Sequence, residues 1–465
     1  MHEWSARELA SKVTSRSLNA VDVAHYFINR VEHYNPSLNA IVQFDPALVL
    51  SEAAKVEQRL DHGEVLPLAG VPITIKDNIW VEGRRLSQGS ALFSDFIAPC
   101  DAWAVSRLRQ CGAVVLGITN CSEFACKGVT SNRLYGTTRH PLDLRLTPGG
   151  SSGGAATALA AGMGLLALGT DAGGSVRRPA AHCGLVGLKP SAGIIPHPWG
   201  FGEPNYGLSV IGLLARDAAD CALLLDQLLA YDGGDAASPA VPVALYASAL
   251  VAALPRRDLR IAWSPQLGCG YAIDTDVLQT LQTRIDALRD SGWAVADADP
   301  AWPMGIGTFP VMALQEAGLH ALYGSRLAAE RDAIDPDLVA QIEAGAARTP
   351  DELARVLRLR DRISGALAHF FDDYDVLLCP TTPVTAWPAD QLGPTDIGGR
   401  PAGPRGHAAF TPLFNYCGVP ACSVPAGLVR GLPVGLQIVA RRFDDALVLQ
   451  IAALLESQLR LNTGI

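Results

Sequence analysis

The sequence predicts an α/β protein whose sheet is covered on both faces. Short apolar, β-branched runs alternate with helix-like stretches, and 49 % of the 465 residues are hydrophobic against 18 % charged. Apolar runs bounded by turns read as strands buried on both sides, and such strands need helices over each face. The same balance is enough to bury a large core, so the chain does not read as disordered.

Two helices are expected at the N-terminus. The second runs from Asn19 to Tyr34, with Val21, Ala24, Phe27, Ile28 and Val31 at helical spacing and a stop at Asn35-Pro36. Val71–Ile75 reads as a buried strand with Lys76 at its end; Ala113–Leu116 reads as another, after a helix-like Ala102–Gln110. Glycine recurs at eleven positions between Gly149 and Gly187. That density costs conformational entropy and marks a segment where backbone bends sharply or approaches something closely. Within it, Ala155–Leu168 reads as a buried helix. Asp235 to Val251 reads as a surface connection, residues 259–375 as mostly helical, and Asp375–Cys379, Ala421–Val424 and Val434–Val439 as strands.

Composition excludes several classes. The net charge is −9 and only five lysines occur, with no basic stripe for a nucleic acid. Met1–Glu8 is too polar for a signal peptide, and no apolar run reaches the roughly 20 residues a membrane span needs. The ten cysteines fall in no metal-ligand or paired spacing, so buried, reduced thiols in a cytoplasmic protein are expected.

Three strings carry chemistry. Gly149-Gly150-Ser151-Ser152-Gly153-Gly154 exposes hydroxyls and amides on a tight turn before a helix start. Gly169-Thr170-Asp171-Ala172-Gly173-Gly174-Ser175-Val176-Arg177-Arg178 places two glycines before a serine, leaving room for a carbonyl beside consecutive amide donors. Asp171 and Arg177 flank that serine and read as an ion pair fixing the loop. Lys76-Asp77-Asn78 ends an apolar strand, where burial lowers an ammonium's pKa and lets a lysine act as a base.

Taken together with VVLGITNCSEFA, FTPLFNYCGVPACSVP and GLPVGLQIV, these strings resemble the amidase signature family over nearly the whole chain. The resemblance implies one domain over residues 1–465, with a signature core at about 66–215 and a variable, mostly helical substrate side at about 235–375. Its fold would be a large mixed central sheet sandwiched between helical layers. It implies hydrolysis of a carboxylic amide, or of a related carbamate, urea or lactam, by a Ser–Ser–Lys triad. Ser175 would be the nucleophile, Ser151 the bridging serine after a cis peptide bond from Gly150, and Lys76 the base. The amides of Ala172, Gly173, Gly174 and Ser175 would form the oxyanion hole, supported by Ser152, Asp171 and Arg177. Ala125, Cys126 and Gly150 would contact substrate, and Cys126–Ser131, Trp199–Tyr206 and Trp302–Gly318 would line an apolar or aromatic acyl pocket. No metal or organic cofactor is called for. The partners expected are a small-molecule amide and, at most, a second copy of the chain as a homodimer.

The sequence departs from the family's usual residues at Ile118, His140, His182 and Leu213, none of them a triad position. His182 is seven residues past the expected nucleophile and reads as a hydrogen-bonded core histidine rather than a base. An esterase nucleophile elbow at Gly149–Gly153 fails because Leu146-Thr147-Pro148 cannot supply the preceding strand. The family's glutamine-dependent amidotransferase component shares the same core, so Ile194–Gly212, which differs from that component, argues for a stand-alone hydrolase. A catalytically dead scaffold does not fit a complete triad.

Overall fold

The computed structural model describes residues 1–239, 256–307, 309, 312–403 and 405–463. Its strands are β1 Ile41–Gln43, β2 Pro72–Lys76, β3 Val114–Thr119, β4 Ser131–Asn132, β5 Gly136–Thr137, β6 Leu166–Asp171, β7 Val186–Lys189, β8 Val210–Ala215, β9 Ile261–Trp263, β10 Val295–Asp297, β11 Val376–Pro380, β12 Asp396–Ile397, β13 Arg400–Pro401, β14 Ala421–Val429 and β15 Leu432–Val439. Eleven of them form one sheet in the order β1-β3-β2-β6-β8-β7-β14-β15-β11-β9-β10. It is mixed: β2 runs parallel to β3 and β6, the strands from β6 to β11 alternate in direction, and β9 lies parallel to β11 and β10. Helices flank it, and a continuous hydrophobic cluster links Ala6 near one end of the chain to Leu455 near the other.

The register of β2 against β6 is what positions the site. Ile73, Thr74 and Ile75 pair with Leu166, Ala167 and Leu168. The C-terminal ends of the two strands, carrying Lys76 and Thr170–Asp171, therefore lie side by side. Every residue of both strands is buried, as continuous apolar runs in a covered sheet require.

Three expectations about elements need correction. The second helix spans Ala20–Leu38 and carries Pro36 in its last turn. Its stop is Asn39, in the left-handed conformation at φ 49°, whose N–H returns to the Asn35 carbonyl, while the Asn35 side chain holds Ala40 and Ile41. A third N-terminal helix, Pro46–Asp61, joins the two expected; it is capped by Asp45 and started by a proline. The helix expected over Ala155–Leu168 ends at Ala160. Gly162 and Gly164, both at positive φ, then turn the chain into β6, and uniform burial masks the change of period. Residues 259–375 are mostly helical, as expected, and also contribute β9 and β10 to the sheet edge. Most of the connection expected at Asp235–Val251 lies outside the described residues. All ten cysteines are free, with Cys100, Cys269 and Cys417 only partly buried. No helix among the described residues is long and apolar enough to cross a membrane.

Candidate active site

Lys76 has no solvent exposure. Its Nζ lies 2.8 Å from Ser151 Oγ and 2.8 Å from Thr170 Oγ1, and Asn78 Nδ2 donates to the same Thr170 hydroxyl at 3.0 Å. Burial pushes the Lys76 ammonium down to about 8, against weaker support for the charged form from Asp171. The neighbouring Asp77 turns away, accepting from Ser87 N, Ser87 Oγ and Gly89 N at 2.5–2.9 Å, and burial raises its carboxyl to about 6.

The peptide bond between Gly150 and Ser151 is cis. A Cβ on Gly150 would stand 2.6 Å from the Val129 carbonyl carbon, so only glycine fits there. Thr130 Oγ1 donates to the Gly149 carbonyl at 2.9 Å and accepts from Gly153 N at 2.9 Å. Ser152 begins the helix Gly153–Ala160; its N–H donates to the Ser175 carbonyl at 3.1 Å and its hydroxyl to the Thr170 carbonyl at 3.3 Å. The two serine loops are thus tied directly to each other.

Asp171 organises the Ser175 loop. Its carboxylate accepts from Gly174 N at 2.7 Å, Val176 N at 3.1 Å, Arg177 Nη2 at 2.8 Å and Asn415 Nδ2 at 3.0 Å. Asp171 and Arg177 are both fully buried. Burial alone would raise the Asp171 carboxyl, but the Arg177 charge and these donors hold it well below the usual carboxylate range. Arg177 Nη1 also donates to the Thr411 carbonyl and to Gln437 Oε1, and its Nη2 to Asn415 Oδ1. The ion pair expected from the sequence is present. The Gly174 amide, however, is taken by Asp171, which leaves Ala172, Gly173 and Ser175 of the four amides expected to face an oxyanion.

A narrow cavity of about 30 Å3 joins these groups, lined by Asn78, Ala125, Ser151, Thr170, Ala172 and Ser175, with Phe124 and Phe201–Asn205 as walls. Of the three residues expected to touch substrate, only Ala125 lines it, in a left-handed turn (φ 60°) shared with Phe124. Cys126 instead lines a separate cavity of about 210 Å3 with Lys127, Gly128, Met312 and Arg405. Gly150 packs on Val129, its carbonyl held by Arg178. Among the expected pocket segments, Trp199–Tyr206 supplies a wall. Of Trp302–Gly318, Phe309 stands against Gly173, close enough that a Cβ there would lie 3.0 Å from its ring, and residues 308, 310 and 311 lie outside the described residues. His182 is buried with neither ring nitrogen hydrogen-bonded, lies edge-on to Trp387 at 5.3 Å, and is not part of the cavity. Burial pushes it down to about 3, so it is a neutral core histidine; the hydrogen bond here is from His140 Nε2, 2.8 Å from the His182 carbonyl. No cluster of three His, Cys, Asp or Glu among the described residues could hold a metal ion.

Sequence reasoning missed Thr170, Asn78, Arg178, Thr411, Asn415 and Gln437. Thr170, Asn78 and Arg178 sit inside the strings that carry chemistry, but only the β2–β6 register shows that Thr170 meets Lys76. Thr411, Asn415 and Gln437 sit in the FTPLFNYCGVPACSVP and GLPVGLQIV strings but lie more than 230 positions from Arg177, and nothing in those strings names it as their partner.

Known proteins match the chain along nearly its whole length. The Amidase family model matches residues 22–449. An acylamidase of Rhodococcus erythropolis is 38 % identical over 98 % of this chain and 96 % of its own length. A glutamyl-tRNA(Gln) amidotransferase component from Thermoanaerobacter pseudethanolicus is 30 % identical over 99 % of this chain and 98 % of its own. The crystal structure of a bacterial aryl acylamidase of the amidase signature family superposes with a TM-score of 0.90 at 28 % identity, covering 98 % of this chain and 96 % of that one. The chain therefore belongs to the amidase signature family and is a hydrolase acting on carbon–nitrogen bonds.

Proposed function

We propose that the protein hydrolyses a carboxylic amide, or a related carbamate, urea or lactam, through an acyl-enzyme on Ser175. The observation that carries this reading is the fully buried Lys76 amine 2.8 Å from the hydroxyl of Ser151, which lines one cavity together with Ser175. Ser175 Oγ attacks the carbonyl carbon and gives its proton to Ser151, which passes its own to the neutral Lys76. The developing oxyanion is held by amides of Ala172, Gly173 and Ser175, the donors left once Gly174 is committed to Asp171. As the C–N bond breaks, the proton returns through Ser151 to the leaving nitrogen. Water, deprotonated by the same relay, then cleaves the acyl ester to a carboxylic acid.

The walls formed by Phe124 and Phe201 favour an apolar or aromatic acyl group. The likeness to an amidotransferase component supports a second reading, release of ammonia from glutamine within a complex. Purified protein assayed against anilides, aliphatic amides, ureas, carbamates and glutamine separates the two: turnover of anilides by the chain alone is expected. In Ser175→Ala that turnover should vanish while the fold, followed by circular dichroism, persists. Undiminished turnover in Ser175→Ala would refute the acyl-enzyme.

A further inference from the structure

We propose that Arg178 is a positioning residue for amide cleavage: a single buried guanidinium bridges the Gly150 and Gly173 carbonyls and so locks the Ser151 loop to the Ser175 loop. This rests on Ser175 being the nucleophile. Arg178 is 3 % exposed. Its Nη1 donates to the Gly173 carbonyl at 2.6 Å and its Nη2 to the Gly150 carbonyl at 3.2 Å. The Gly150 carbonyl belongs to the peptide unit that carries the Ser151 nitrogen. The Gly173 carbonyl belongs to the unit whose N–H, that of Gly174, donates to Asp171. The Gly173–Gly174 peptide is therefore gripped at both ends, which fixes the orientation of the amides on either side, those of Gly173 and Ser175.

Thr411 reinforces the same grip. Its Oγ1 donates to the Gly173 carbonyl at 2.7 Å, and Gly174, at φ 109°, leaves the space that this hydroxyl fills. Geometry of this kind matters because displacement of a reacting group by about 1 Å can cost roughly a hundredfold in rate.

Charge is the second part of the role. Arg177 has Asp171 as its ion-pair partner, whereas Arg178 directs its hydrogen bonds to carbonyls and the Thr411 hydroxyl, and its Nε has no partner. Burial, with Arg405 and Arg177 nearby, brings it down to about 9 against the pull of Asp171, so it stays charged at neutral pH. The groups acting on Lys76 are Cys121, Asp171, Cys126 and Arg178, with the Ser151 and Thr170 hydroxyls in contact. Both thiols are pushed up by burial and are neutral at working pH. Asp171 therefore favours the ammonium, and Arg178 is the charge that opposes it.

The test is the second-order rate of inactivation of the full-length protein by a fluorophosphonate, measured across pH, with the adduct located by peptide mapping. Arg178→Met should lower the plateau rate by about a hundredfold and move its midpoint to higher pH, because a positive neighbour of Lys76 is gone. Arg178→Lys should keep the midpoint but remain slow, since one ammonium cannot span both carbonyls. Thr411→Val should slow inactivation with no change of midpoint, separating grip from charge. A plateau and midpoint in Arg178→Met equal to the parent's would overturn the proposal. Should Arg178→Met fail to fold, parental plateau rates in both Arg178→Lys and Thr411→Val would do the same. An adduct on a residue other than Ser175 in the parent protein would overturn the acyl-enzyme reading itself, and this proposal with it.

Discussion

The ends of β2 and β6 and the helical stretch from Met312 to Asp373 both carry many charges, but they handle them in opposite ways. Around Asp171 the charges are out of water: Asp171 and Arg177 form their pair with neither side chain exposed, and the carboxylate accepts from several further donors. Along the helices, Arg331–Glu343 and Arg355–Asp351 meet with roughly half or more of each side chain in solvent. A buried pair costs heavily to desolvate and becomes indispensable once made, because removing one partner strands the other. An exposed pair is screened by water and can be lost with little effect. One region therefore fixes geometry, and the other keeps a surface wet.

Substitutions in both regions test how sharp that contrast is. The largest effect is expected at Lys76. Lys76→Ala should cut acylation by about 10⁴-fold or more, the scale of losing one member of a hydrolytic triad. Lys76→Arg should not rescue it, because a guanidinium stays protonated and accepts no proton. In the parent the base must be neutral, so the acylation rate should rise with pH through about 8 and then level off. Single-turnover rates across pH measure this; an active Lys76→Arg enzyme would make Lys76 a structural cation.

A smaller but still large effect is expected from Asp171→Asn. It leaves the buried Arg177 charge unmatched and should lower stability by about 3–5 kcal/mol, read as a shift of the urea midpoint, with activity falling as the Ser175 loop loosens. An unchanged midpoint would mean that Asn415 and Gln437 suffice to satisfy Arg177. The smallest effect is expected on the helices: Arg331→Ala or Arg355→Ala should leave both the midpoint and the turnover rate unchanged. A clear loss at either would erase the contrast between the two regions.

What can be read in advance follows the same division. Strands β2, β3 and β11 are legible because short β-branched runs bounded by turns have one physical solution. The Ser151 and Ser175 strings are legible because glycines and serines packed so densely are unfavourable anywhere but at a site, and Lys76 is legible because it ends a buried apolar strand. Segments such as Ala155–Leu168 are not, since an element buried on all sides loses the period that separates helix from strand. The grip of Arg177 and Arg178 on β15, Thr411 and Asn415 is equally hidden. Those contacts join residues more than 200 positions apart, and the strings that hold them do not tell which residues they meet.

The pairing of β2 with β6 has a consequence for how this protein comes to life on folding. Lys76 and Thr170 are separated by 94 positions and meet only when two parallel strands close a long loop in one register. Slipping β2 by a single residue would turn Lys76 to the opposite face of the sheet. Closing such loops is slow because their entropy is lost before any contact repays it. Recovery of hydrolysis during refolding should therefore lag behind recovery of helical signal, and activity serves as a clock for the non-local pairing that builds the site.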